Sequence, residues 1–133
     1  MELDHIGVAV RDLSAAEAAW ARVAPGAGSP EVVGDDGVTV LFCPFSGGAV
    51  ELLQPSGEES PVGRFLARRG EGLHHVAFRV PDIRAALADM AATGADLIDR
   101  EPRPGAHGTL VAFVHPKAFA GVLVELVEHP VSA

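Results

Sequence analysis

The sequence lacks the features that mark secreted, membrane-spanning and disulfide-bonded proteins. Cys43 is the only cysteine among 133 residues, so no intrachain disulfide can form. No apolar run approaches the roughly 20 residues that span a bilayer. The first residues, Met1-Glu2-Leu3-Asp4, lack the basic and apolar regions of a signal peptide. These absences predict a cytoplasmic protein without a membrane segment.

Positive charge is also scarce. The chain has 10 Lys and Arg against 18 Asp and Glu, a formal net charge of −8, which argues against nucleic-acid and membrane-surface binding. Residues 1–63 contain two arginines against ten acids, whereas residues 64–133 contain eight basic and eight acidic residues. An anionic ligand would therefore find its cations in the second half, among Arg64, Arg68, Arg69, Arg100, Arg103 and Lys117.

An internal repeat is the strongest positive feature. Residues 3–13 align with residues 73–83 without a gap, and residues 50–53 align with residues 124–127. Each half is about 55 residues long and opens and closes with a strand. Because so short a half would bury too little surface to be stable alone, the two halves should share one domain over residues 1–133.

A helix follows the first strand in each half. Ser14 and Glu17 predict a capping box for a helix over residues 12–24, and Asp82 predicts the N-cap of a helix over residues 82–93. Ser60 begins a short connecting helix over residues 60–69, between modules at about 1–56 and 71–129. Further β-type runs lie at 31–33, 38–43, 48–54, 96–99, 109–115 and 121–128.

Strand alternation places one histidine and one glutamate of each half on the face turned away from its helix. These residues are His5 and Glu51 in the first half and His75 and Glu125 in the second. A single histidine in a strand is more often structural than a ligand, but here both pairs recur at matching positions. Two carboxylates brought together need a cation between them, and this donor set suits Zn, Co, Ni, Fe or Mn. The repeat therefore predicts one divalent ion bound by all four residues.

A family resemblance covers nearly the whole chain. It is carried by Leu3-Asp4-His5-Ile6-Gly7, Val50-Glu51-Leu52, Gly70-Glu71-Gly72-Leu73-His74-His75, Gly105-Ala106-His107-Gly108, His115-Pro116-Lys117 and Gly121-Val122-Leu123-Val124-Glu125-Leu126. With these segments the chain resembles the vicinal oxygen chelate superfamily and, within it, the methylmalonyl-CoA epimerase family. The resemblance implies an α+β fold of two βαβββ modules that form one cup-shaped mixed sheet, with the helices outside, around one metal ion.

The resemblance implies an isomerase that moves a proton at C2 and interconverts (2R)- and (2S)-methylmalonyl-CoA through an enolate. It places the ligands of a Co, Zn, Ni or Mn ion at the same four residues. In part of the family the second ligand is a glutamine, whereas this chain has Glu51. The implied partners are a small-molecule CoA thioester and a second copy of the chain in a homodimer.

The resemblance also implies roles in catalysis and binding. Glu125 is expected to act as one acid–base group. Several relatives carry a second acid on the strand after the turn at residues 35–38, where this chain has Val40, so Glu51 or a water is the candidate for the second group. His107 and Lys117 are candidates for contacts with the substrate. The CoA phosphates are expected near Arg64, Arg68, Arg69 and Arg103.

Two other functions fit parts of the same pattern. A glyoxalase I-type lactoylglutathione lyase would share the metal ligands, and a ring-cleaving dioxygenase of the superfamily commonly uses two histidines and one glutamate with Fe(II), in a longer chain. A non-enzymatic small-molecule binding protein on the same fold would generally lack the ligands. Because all four ligands are present, the sequence favours an enzyme.

Overall fold

The structure, a computed structural model, describes residues 1–131. The elements are β1 (Glu2–Ala9), α1 (Leu13–Trp20), β2 (Glu31–Val33), β3 (Val38–Phe45), β4 (Gly48–Gln54), α2 (Pro61–Arg69), β5 (Gly72–Arg79), α3 (Ile83–Ala92), β6 (Arg103–Pro104), β7 (Leu110–Val114) and β8 (Val124–Glu128). Short 3-10 turns span Ala106–Gly108 and Pro116–Phe119. This order confirms the predicted α+β class and the two βαβββ modules joined by α2.

The chain forms two compact units, which we call the N-terminal unit (residues 5–74) and the C-terminal unit (residues 1–4 and 75–131). In the N-terminal unit the strand order is β2-β3-β4-β1, with β1 parallel to β4 and the other pairs antiparallel. In the C-terminal unit the order is β5-β8-β7-β6, with the same pattern of directions. Within residues 1–131, every helix is too short or too polar to cross a membrane.

The opening and closing strands pair in the same register in both units. Gly7 lies opposite Glu51, and Ala77 lies opposite Glu125. Each of these small residues comes two positions after the histidine of its half, so it shares a face with that histidine. The register therefore sets each glutamate beside the histidine of the same unit, with little side-chain bulk between them.

The opposite face of each sheet packs against a helix, as the alternation predicts. In the N-terminal unit the buried residues of this core are Val8, Val10, Ala24, Leu41, Cys43, Val50 and Leu52, with Trp20 of α1 packed against them. In the C-terminal unit they are Val80, Ile83, Leu87, Ala112, Val114 and Leu126. Each fully buried aliphatic side chain of this kind stabilises the fold by about 1.5–3 kcal/mol, which fixes the strand register and with it the face of each polar residue.

The predicted capping box at Ser14 and Glu17 is wrong. Asp12 is the N-cap of α1, and its carboxylate accepts a hydrogen bond from the Ala15 N–H at 3.1 Å. The helix begins at Leu13 and ends at Trp20, short of the predicted residue 24. In the second half, Asp82 caps α3 as predicted.

A second side chain closes the start of each of these helices. The Leu13 N–H donates to Gln54 Oε1 at 2.8 Å, and the Ile83 N–H donates to Glu128 Oε1 at 2.9 Å. Glu128 is the last residue of β8 and is half-buried. These bonds fasten each helix to the end of the strand that carries Glu51 or Glu125.

The predicted strand at residues 96–99 is also wrong. Its residues wrap around Phe113 of β7: the Ile98 and Asp99 N–H groups both donate to the Phe113 carbonyl at 3.1 Å, and the Phe113 N–H donates to Asp99 Oδ2 at 2.9 Å. The outer strand of this unit is instead β6. The last strand begins at Val124 rather than at residue 121, because Ala120 and Gly121 have left-handed backbone angles (φ 54° and 97°).

Candidate metal centre

The N-terminal unit brings His5 and Glu51 together. His5 lies in β1 and is 4% exposed, and its Nε2 lies 3.6 Å from Glu51 Oε2 of β4. The Glu51 side chain is 14% exposed. Gly7 lies opposite Glu51 and has no side chain, so it leaves room for an imidazole and a carboxylate on the same face.

The C-terminal unit repeats this arrangement more deeply. His75 Nε2 of β5 lies 3.5 Å from Glu125 Oε1 of β8, and the two side chains are 3% and 8% exposed. Ala77 occupies the position of Gly7. Both predicted histidine–glutamate pairs therefore form within their own units.

The spacing in each pair suits two ligands of one ion better than a hydrogen bond. An N–H···O bond is usually 2.7–3.2 Å long, which is shorter than the 3.5 and 3.6 Å found here. Two donor atoms that each lie about 2.1 Å from a metal ion are about 3.0 Å apart at a right angle and about 3.4 Å apart at the tetrahedral angle. A small adjustment of either side chain would bring both donors onto a common ion.

Burial singles out the same residues. Within residues 1–131, the buried polar or charged residues are His5, His75, Thr109 and Glu125. Three of these four are predicted ligands, and each offers one ligand atom. A buried carboxylate is costly unless a positive charge compensates it. Imidazole and carboxylate donors are suited to a divalent transition metal, so the residues present fit the predicted group.

A phenylalanine lies opposite each glutamate, a feature that the sequence interpretation missed. Phe42 of β3 pairs with Glu51, and Phe113 of β7 pairs with Glu125. The Phe113 ring meets the His75 imidazole edge-on, with the ring centroids 5.4 Å apart and the planes at 86°. The two phenylalanines are 71 residues apart, close to the repeat offset, so extending the alignment to the third strand would have found them.

Among the predicted CoA cations, Arg103 has a defined position beside this aromatic ring. Its guanidinium carbon lies 5.4 Å from the Phe113 ring centroid, and its Nη2 lies 3.4 Å from Asp99 Oδ2. The Arg103 side chain is 51% exposed. The other cations lie on α2: Arg64 Nε donates to the Glu59 carbonyl, and Arg69 covers the Phe65 ring at 5.8 Å.

His107 and Lys117, the predicted substrate contacts, lie in two exposed 3-10 turns before and after β7. The structure does not bury them with His75 and Glu125. His107 adopts a left-handed conformation (φ 58°, ψ 33°), which costs an ordinary residue about 1–2 kcal/mol. The buried Thr109 hydroxyl holds this turn by donating to the Ala106 carbonyl at 2.7 Å. Strain of this kind is often retained where an exposed side chain has a function.

Comparisons with known proteins identify the family of the chain. Residues 4–113 match the model of the Glyoxalase/Bleomycin resistance protein/Dioxygenase superfamily. The ethylmalonyl-CoA/methylmalonyl-CoA epimerase of Cereibacter sphaeroides is 44% identical over 128 residues, which cover 93% of this chain and 95% of that protein.

Solved structures extend the likeness to the fold. A variant of the Streptomyces coelicolor methylmalonyl-CoA epimerase in complex with 2-nitronate-propionyl-CoA is 36% identical, with a TM-score of 0.89 over 97% of this chain and 94% of that one. A methylmalonyl-CoA epimerase in complex with methylmalonyl-CoA and NH4+ gives a TM-score of 0.89 at 36% identity, over 96% and 94% of the two chains. The chain therefore belongs to the glyoxalase/bleomycin resistance/dioxygenase superfamily and, within it, to the family of methylmalonyl-CoA epimerases.

Proposed function

We propose that the chain catalyses proton transfer at C2 of methylmalonyl-CoA and so interconverts the 2R and 2S epimers. The observation that carries this proposal is the pair of histidine–glutamate sites, at equivalent register positions, in a chain 44% identical to such an epimerase. The substrate is a CoA thioester, as in the solved relative that holds methylmalonyl-CoA. The C2 proton is acidic because its loss gives an enolate.

His5, Glu51, His75 and Glu125 are proposed to hold one divalent ion, with Co, Zn, Ni and Mn as the candidates. When bound, the ion would supply positive charge next to the substrate oxygens on which negative charge develops. The four side chains fix that charge in place, and the two carboxylates offset it. Gly7 and Ala77 leave space beside the histidines on each ligand-bearing face.

Glu125 is proposed as an acid–base group that removes or returns the C2 proton on one face of the substrate. Its carboxylate is buried and is held beside His75, so its direction of approach is fixed. Epimerisation requires a second proton exchange on the opposite face of C2. Among the four ligands, Glu51 is the candidate for that exchange.

Lys117 and His107 are proposed to contact the substrate from their exposed turns, with the ammonium of Lys117 suited to the substrate carboxylate. Arg103 is the candidate for the anionic groups of CoA, because it lies on the edge of the sheet two strands from Glu125. The name of the Cereibacter sphaeroides relative includes ethylmalonyl-CoA. Ethylmalonyl-CoA is therefore the second substrate to test.

Deuterium exchange tests the reaction. The metal-loaded protein is incubated with (2R)-methylmalonyl-CoA in deuterium oxide, and mass spectrometry follows the label at C2. We expect deuterium at C2 together with formation of the 2S epimer. No deuterium uptake, with turnover of a methylglyoxal–thiol adduct, would identify a lyase instead. A protein that binds no divalent metal at neutral pH would instead favour a binding protein.

The ligand set has a separate test. His5→Ala and His75→Ala should each abolish metal retention and epimerisation, while circular dichroism reports a folded protein. His74→Ala is the matched control, because His74 precedes His75 in β5 and points to the opposite face of the strand. Full metal occupancy in either variant would show that the replaced histidine is not a metal ligand. The homodimer and the cytoplasmic location stay predictions from the sequence.

A further inference from the structure

A second carboxylate, besides Glu51, lies on the ligand-bearing face of the N-terminal unit. This inference rests on the proposed epimerisation, which needs two acid–base groups on opposite faces of C2. Val40 of β3, where a second acid was expected, is 4% exposed and cannot transfer a proton. Its cross-strand partner in β2 is Glu31.

The pairing of Glu31 with Val40 is set by a tight hairpin. The turn at residues 34–37 is closed by a hydrogen bond from the Gly37 N–H to the Gly34 carbonyl at 3.2 Å, and both glycines have positive φ (68° and 73°). This turn pairs Val33 with Val38, and two positions earlier it pairs Glu31 with Val40. The register therefore places Glu31 directly opposite Val40.

Strand alternation gives the direction of the Glu31 side chain. Val40 shares a face with Phe42, which lies directly opposite Glu51, and cross-strand partners in an antiparallel pair point to the same side. Exposure agrees, because Glu31 is partly buried whereas its neighbour Val32 is 68% exposed. Glu31 therefore lies on the same face as Glu51.

Few acidic residues lie on the ligand-bearing faces of the described strands. On the ligand-bearing faces of β1 to β8, within residues 1–131, the acidic residues are Glu31, Glu51 and Glu125. Glu51 and Glu125 are assigned to the metal shell. Glu31 is therefore the acidic residue on these faces that is not a proposed metal ligand.

Glu31 also lies within one substrate length of Glu51, a proposed metal ligand on the same face. The two residues lie two strands apart and two positions apart along the sheet. With the usual strand spacing and rise per residue, their Cα atoms are about 12 Å apart. The Cβ atoms of directly opposed residues are about 5 Å apart, so the Glu31 carboxylate can extend over Val40.

We propose that Glu31 is the second acid–base group of the epimerisation and that Glu51 serves as a metal ligand. In one direction the Glu31 carboxylate takes the C2 proton, and the electrons of the broken C–H bond move into the thioester carbonyl to give the enolate. The protonated Glu125 then delivers its proton to the opposite face of C2. The reverse reaction exchanges the two roles, so no other reactant is consumed.

The test separates the two faces of C2. Metal-loaded Glu31→Gln is incubated with each epimer in deuterium oxide, and epimerisation, C2 labelling and bound metal are measured in parallel. Positioned acid–base groups contribute about 10²- to 10⁴-fold, so epimerisation should fall at least about 100-fold. The variant should retain its metal and should exchange the C2 proton of one epimer only. Glu17→Gln, which removes an exposed carboxylate from α1 of the same module, should match the wild type.

Three results would overturn the assignment of Glu31. The first is epimerisation by Glu31→Gln within about threefold of the wild type, well below the effect of a lost acid–base group. The second is an equal loss of exchange from both epimers, which a base acting on one face does not produce. The third is single-epimer exchange in Glu51→Gln with full activity in Glu31→Gln, which would move the role to Glu51. A wild-type protein that exchanges neither epimer would refute the proposed function itself.

Discussion

Replacing Phe113 with leucine should weaken metal binding through His75. The Phe113 ring meets the His75 imidazole edge-on, with the centroids 5.4 Å apart, and the Arg103 guanidinium also lies over this ring. Leucine is apolar and similar in reach, but it has no ring edge or face. The substitution therefore removes the contact that holds the imidazole plane while the polar donors of the site remain.

The geometry gives the size of the effect. An edge-to-face aromatic contact contributes about 0.5–1.5 kcal/mol beyond its buried area, and a half-exposed cation–π contact contributes about 0.5–1 kcal/mol. Losing both should lower the free energy of unfolding of the metal-free protein by about 1–2 kcal/mol. The edge-to-face contact with His75 accounts for about 1 kcal/mol of this loss. Because 1.4 kcal/mol corresponds to a tenfold change in affinity, the metal should bind about fivefold more weakly.

The chain supplies a matched control in Phe65 of α2. Its ring also meets a histidine edge-on, His74 at 5.0 Å, and also lies under an arginine, Arg69 at 5.8 Å. Because His74 is not a proposed ligand, Phe65→Leu should cost similar stability and leave the metal affinity unchanged. Co(II) titrations followed by visible absorption measure the affinity, and thermal unfolding of the metal-free proteins measures the stability. Equal metal affinities in the two variants would refute the role of Phe113.

Three substitutions and one chemical reaction probe other parts of the chain. An added Cβ at Gly63 would lie 2.1 Å from the Gly57 carbonyl oxygen, so Gly63→Ala should lower the free energy of unfolding in urea by about 2 kcal/mol or more. Gly28→Ala, with open space, should change it by less than about 0.5 kcal/mol. His107→Gly should relieve the left-handed backbone strain and raise the free energy of unfolding by about 1 kcal/mol. The same substitution should slow epimerisation, and unchanged turnover would contradict a substrate contact of His107. Burial raises the pKa of the Cys43 thiol, so at pH 8 the native protein should react with iodoacetamide far more slowly than the urea-unfolded protein, and equal rates would contradict this environment.

The repeat and the alternation of side chains made the two histidine–glutamate pairs predictable. Both patterns are local, and burial of the apolar face under a helix leaves a strand with one allowed register. The start of α1 was not predictable from the first half alone, because Asp12 and Ser14 are both good caps. The equivalence of Asp12 with Asp82 would have decided between them.

The remaining parts of the site depend on contacts between residues that are distant in sequence. The apolar pair at residues 97–98 resembles part of a short strand. The Asp99 carboxylate, however, accepts the Phe113 N–H in place of a backbone carbonyl, and residue patterns do not reveal that exchange. The position of Glu31 depends on the exact length of the turn at residues 34–37. A glutamate that begins a three-residue strand looks like a surface charge until the register is known.

The wrapping of residues 96–99 around β7 also bears on how copies of the chain behave at high concentration. An edge strand usually offers a row of open N–H and C=O groups that another chain can extend into an aggregate. Here the backbone N–H and carbonyl of Phe113 form hydrogen bonds with Asp99 and Ile98. The His115 N–H donates a hydrogen bond to the Asp96 carbonyl at 2.8 Å. The strand that remains outermost in this unit, β6, is two residues long and consists of an arginine and a proline. This side of the C-terminal unit is therefore protected against strand-to-strand association by a loop, a charge and a proline.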